Sequence, residues 1–140
     1  MKKALFVCLL IGAASVAAAD AAQLNFVKQV YREVRARGSE EAVLMRHADS
    51  GLKAALRHAD QVAKGGDICL DSQYLYPGQD PDFRTTPRFS MAGNRVKVVV
   101  TQYGSRSTVY VDAKCNGGSC QISDVVAGGS SLKAAARSCR

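Results

Sequence analysis

The 140-residue chain has no tryptophan, few aromatics, three prolines and two histidines. It lacks a glycine-rich loop that could cradle phosphate, and no serine or cysteine sits in a nucleophile motif. Nucleotide-dependent and acyl-transfer catalysis therefore have no local footing. Basic residues are scattered with no run of four, and no aromatics interleave with them as in a single-strand-binding groove. Nucleic acid is thus not an expected partner. The apolar run Ala4–Gly12 is too short to span a bilayer.

Both histidines fall in a repeated tetrapeptide, Arg-His-Ala-Asp at 46–49 and again at 57–60. On one straight helix the eleven-residue step would put His47 and His58 roughly 16 Å apart, too far to share a metal. The repeat reads as coincidence, with His47 closing one helix and His58 flanking the apolar stripe of the next. A zinc site combining Cys115 and Cys120 with either histidine lacks a second compact ligand pair. No metal and no cofactor is expected.

What is present begins with an export signal. Lys2 and Lys3 precede the apolar run, and small residues follow it. Cleavage after Ala17-Ala18-Ala19 is favoured over cleavage after Ala19-Asp20-Ala21. Cys8 lies inside the apolar run rather than at its end, so it does not read as a lipidation site. The expected organisation is a bacterial signal peptide over 1–19 and one domain over 20–140, in the periplasm or secreted. Losing Lys2 and Lys3 lowers Lys+Arg from 19 to 17 against 12 acids, a net +5. That balance suits an anionic partner, such as an acidic protein or, in weak contact, an anionic membrane surface.

Four cysteines remain, Cys69, Cys115, Cys120 and Cys139. An even count in an exported chain argues for disulfides, and four allow three pairings. Cys115-Asn-Gly-Gly-Ser-Cys120 brackets a tight turn between strand-like runs, which favours Cys115–Cys120 and leaves Cys69–Cys139.

Leu24, Val27, Val30, Tyr31 and Val34 recur at helical spacing and predict a helix over 21–37, stopped by Gly38. Ser39 followed by two acids predicts a short helix over 40–47. Asp49 or Ser50 caps a third, whose stripe is Leu52, Ala55, Leu56, Ala59 and Val62, ending at Gly65-Gly66. A short strand is expected at Asp67–Asp71 and a loop over 72–82. Strands follow at Thr86–Met91, Arg95–Tyr103, Ser107–Lys114 and Cys120–Val126, with turns at Gly93-Asn94 and Tyr103–Arg106. Ser131–Cys139 is a short alanine-rich helix. The class is α+β: N-terminal helices packed on a curved antiparallel sheet of about four to five strands, with a short C-terminal helix.

Several stretches resemble a known group. They are the opening helix Phe26-Val-Lys-Gln-Val-Tyr31, then Asp71 followed by Gln79-Asp80, the strand Val96–Thr101, and Cys120-Gln-Ile-Ser-Asp-Val125 before a closing helix. Together they resemble an uncharacterised-domain family of exported bacterial proteins in the nuclear transport factor two-like superfamily, the ketosteroid-isomerase-like cone fold. The resemblance covers most of 24–138. It implies a curved sheet closed by helices with a pocket at the open end, and it implies no particular reaction.

The densest polar and aromatic cluster, Asp71 to Asp80, supplies the candidate ligand-binding residues Asp71, Tyr74, Tyr76, Gln79 and Asp80, with Tyr103 beside them. Three functions compete. An exported, non-enzymatic binding module for an unknown envelope protein or small ligand leads, an immunity-type inhibitor of a secreted toxin being one version. A pocket enzyme of isomerase or dehydratase type is the alternative. It would need Asp71 or Asp80 as base and Tyr74, Tyr76 or Tyr103 as donor in a dry site. A membrane-surface protein held by basic helices is the third.

Overall fold

A computed structural model describes residues 12–140, with side chains from Val16 onward. Of the expected signal peptide, residues 1–11 lie outside the described residues. Helix α1 (Gly12–Arg37) runs straight through the expected cleavage point, and residues 16–19 are all exposed. The helix then buries Val27, Val30, Tyr31 and Val34 of the stripe its spacing predicts, with Leu24 partly buried at its start. No helix among the described residues is long and apolar enough to cross a membrane.

Helix α2 (Glu40–His47) starts where Ser39 accepts a hydrogen bond from the Ala42 amide. Helix α3 (Ser50–Lys64) starts at Asp49, whose side chain accepts from the Leu52 amide at 2.8 Å. The chain is then irregular until the sheet. Strands β1 (Arg88–Ala92), β2 (Arg95–Gln102), β3 (Ser105–Asn116), β4 (Ser119–Ala127) and β5 (Ser130–Ser131) form one open antiparallel meander in sequence order. Helix α4 (Leu132–Arg137) closes the described chain. This is the expected α+β class, with β5 added to the four strands foreseen for the meander.

Alternation along the strands makes the core. Val96, Val98 and Val100 of β2, Val109 and Val111 of β3, and Ile122 and Val125 of β4 all point inward. They meet the buried faces of α1 and α2. A bulge at Asp112/Ala113 shifts the β3–β4 register by one residue, which adds local twist. The bulge brings Asp112 opposite Asp124. Arg95 relieves that pairing with two bonds to Asp112, at 2.7 and 3.2 Å.

Both expected disulfides form. Cys115 and Cys120 face each other across the β3–β4 hairpin with Cα atoms 4.0 Å apart, and Cys69 joins Cys139 at 5.6 Å. The hairpin closes on Gly117 and Gly118, both at positive φ, the twist a two-residue hairpin demands. The other bridge ties the end of α4 to the irregular segment. There Ala55, Ala59 and Ala136 pack closely, since small side chains let α3 and α4 approach.

Two expectations change. Asp67–Asp71 is not a strand: it makes no backbone pairing with any strand, and Ile68 is 77% exposed. The turn after β2 is only Tyr103-Gly104, so β3 begins two residues earlier than its apolar alternation implied.

Candidate functional site

The irregular segment 65–87 between α3 and β1 is longer than the roughly 12–15 residues beyond which structureless loops are uncommon. It is nevertheless firmly held. Glu40, in the first turn of α2, is buried, and its carboxylate accepts three successive backbone amides. Tyr74 and Leu75 donate to Oε1 at 2.6 and 2.9 Å, and Tyr76 donates to Oε2 at 3.1 Å. Burial pushes this carboxyl up, and the three amides pull partly against that. The Tyr31 hydroxyl donates to the Leu75 carbonyl at 2.9 Å. Gln102, buried at the end of β2, accepts from the Asp82 amide at 2.7 Å and donates to the Pro77 carbonyl at 3.2 Å.

This scaffold separates the candidate residues. Tyr76 is buried among Tyr31 and Phe83, with ring centroids 5.3 and 5.1 Å away. Burial pushes its phenol up to about 12. Its hydroxyl has no hydrogen-bond partner among the described residues. Asp71 and Tyr74 share a depression of about 280 Å³ with Gly78 and Ser130. There the Tyr74 and Ser130 hydroxyls lie 3.1 Å apart. Asp80 meets Tyr103 only through its backbone carbonyl, to which the Tyr103 hydroxyl donates at 3.1 Å. Gln79 is exposed. Asp71 and Asp80 are exposed as well, so neither makes the dry carboxylate–tyrosine pair that isomerase chemistry requires.

A second, more apolar cleft of about 190 Å³ lies between α2, α3 and residues 68–74, floored by Leu44, Leu56, Leu70 and Leu132. Glu40 is the residue that sequence reasoning missed. Its place after Ser39 marks it only as an acid suited to a helix start, and its partners lie 34 to 36 residues further on.

The histidine repeat resolves into unrelated contacts. His47 Nε2 lies 2.8 Å from Glu33, whose carboxyl is held below its ordinary range chiefly by that hydrogen bond. His58 Nε2 lies 2.8 Å from the Cys139 carbonyl. Asp49 caps α3, and Asp60 pairs with Lys64 one turn on. Among the described residues no cluster of histidine, cysteine and carboxylate could hold a metal. In the closing stretch, Asp124 caps α4 by accepting from the Lys133 amide at 3.0 Å and the Ser131 hydroxyl at 2.6 Å.

No family model, curated protein or solved structure matches the chain. The two disulfides suggest a non-cytoplasmic, oxidising compartment.

Proposed function

We propose that this chain is an exported, non-enzymatic binding module of the bacterial envelope, built on a cone-type fold of the nuclear transport factor two-like kind. One observation carries the reading. The buried carboxylate beneath the long loop spends both oxygens on backbone amides, so it shapes the loop instead of abstracting protons. Asp71, Gln79, Asp80 and Tyr103 are thereby left at the surface of a rigid support. A long loop fixed in one conformation suits recognition, because little ordering entropy is then lost on binding. Two disulfides and a leader-like start support a periplasmic or secreted location. Inhibition of a secreted toxin is one form such binding could take.

The test places a photo-crosslinking residue at Gln79 of the full chain in its native host, with a second label at exposed Ala54 on α3. One discrete adduct is expected from Gln79 and none from Ala54. The same adducts from both positions, or none from either, would remove the proposal.

A further inference from the structure

A shallow groove of about 660 Å³ lies between the end of α1 and residues 81–84. Its apolar lining is Ala36, Pro81 and Phe83, and Arg32, Arg35 and Arg84 supply its charge, against Asp82 alone. Arg84 is engaged: its Nε and Nη2 donate to the two Asp82 oxygens at 2.8 and 3.1 Å. Arg32 and Arg35 are exposed, and among the described residues neither has a carboxylate within ion-pair distance. Arg35 reaches only the Arg84 carbonyl, at 3.5 Å. Tyr103 is bound to the same loop through Asp80. It is 73% exposed and holds φ at +50°, a conformation disfavoured for a side-chain-bearing residue.

We propose that this groove docks an acidic, partly apolar segment of a partner protein, with Tyr103 as an aromatic anchor beside it. Two guanidiniums with no carboxylate partner among the described residues, over an apolar floor, match carboxylates flanking an apolar side chain, because the planar fork of arginine grips a carboxylate in two places. Exposed tyrosine and arginine together are the composition of binding hot spots. Backbone strain kept at an exposed hairpin tip contributes nothing to the core, which fits a tip shaped for contact. A protein is favoured over a membrane because the Tyr103 hydroxyl is tied to the loop rather than free at the end of an inserting ring.

The proposal rests on the binding-module reading and names the chemistry of its partner. Its test uses a fluorescein-labelled peptide of glutamates around a central leucine pair, followed by anisotropy against the intact protein. A lysine version of the peptide and phosphatidylglycerol-containing vesicles are the other arms. The glutamate peptide should bind, and raised salt should weaken it. Arg32→Glu with Arg35→Glu should weaken it by about tenfold or more, Tyr103→Ala by about fivefold, and Lys97→Glu on the sheet not at all. Both charge-reversed side chains are exposed, and unchanged circular dichroism will confirm that the variant folds. Equal binding of both peptides, or indifference to the arginine reversals, overturns the proposal. Vesicle binding without peptide binding replaces the protein partner with a membrane. A silent peptide assay alongside a surviving Gln79 crosslink defeats the groove alone.

Discussion

The sheet and the loop that precedes it are both held in place by specific contacts, and they are held by opposite means. Strands β1 to β5 pair with one another only as neighbours in sequence, through tight turns, and β2 and β3 bury alternate residues; one further bridge joins Ile122 of β4 to Ala48. Residues 65–87 have almost no internal pairing beyond the Gln73–Gly78 bridge. They are fixed by Tyr31 from 44 residues away, by Glu40 from 34 to 36, by Gln102 from 20 and 25, and by Cys139 across 70. Local pairing makes a scaffold that tolerates loss of one contact. Distant pins make a precise surface that depends on few groups.

Glu40→Ala should break this contrast most severely. It leaves three amides without acceptors, and removing such partners costs about 3–5 kcal/mol in all. Urea unfolding should show that loss, and hydrogen exchange should rise first at Tyr74, Leu75 and Tyr76 while the β2 and β3 amides stay protected. Uniform loss of protection across sheet and loop would mean that the two regions are not separately held.

The disulfides should rank the same way. Replacing both Cys69 and Cys139 with serine removes a long closed loop, worth about 4 kcal/mol, while the same change at Cys115 and Cys120 removes about 2 kcal/mol. Thermal melts of the two double variants measure the difference. Equal losses would show that the hairpin link does more than close its own turn.

Two carboxylates should also answer acid with opposite sign: Glu40, which pins the loop, and Glu33, which ties α1 to α2 beside the scaffold. Glu40 has its folded pKa raised by burial. Its contribution is full below the ordinary glutamate value of 4.5 and is lost as pH rises through the raised value. Glu33, lowered chiefly by its bond to His47, contributes above 4.5 and loses that contribution as pH falls through its own value. Glu40→Gln should therefore flatten the stability profile above 4.5, and Glu33→Gln should flatten it below. Denaturant midpoints over the acid range report both, and a Glu33→Gln profile unchanged below 4.5 would dismiss the His47 contact as a stabilising one.

The smallest effect concerns the hairpin tip. Tyr103→Asn places a residue tolerant of positive φ before Gly104 and should stabilise the fold by about 0.5–1 kcal/mol. The same variant should bind the glutamate peptide less well. A gain in stability with no loss of binding would separate the strained tip from recognition.

Legibility in the sequence follows the same division. The bounds of α2, the cap at Ser39, the choice of Asp49 or Ser50 for the next cap, and the inward valines of β2 and β3 were readable, because each depends on spacing within a few residues. Both cysteine pairs were readable because the Asn-Gly-Gly-Ser turn decides one and four cysteines leave one other. Strand β5 was too short to carry a pattern. The apparent strand at Asp67–Asp71 had the composition but pairs with no strand. Within the candidate site, the loop was marked by its turn residues and tyrosines, yet which tyrosines face inward was not.

By itself, then, the sequence determined the four helices, the four longer strands, their order and the covalent links, since periodicity, capping and turn chemistry act over short stretches of chain. Only the tertiary structure decided that Tyr76 is buried, that Tyr103 is presented, and that Glu40 is a strut. Those outcomes depend on which distant backbone amides, carbonyls and aromatic rings arrive beside each side chain, and no local pattern encodes that arrival.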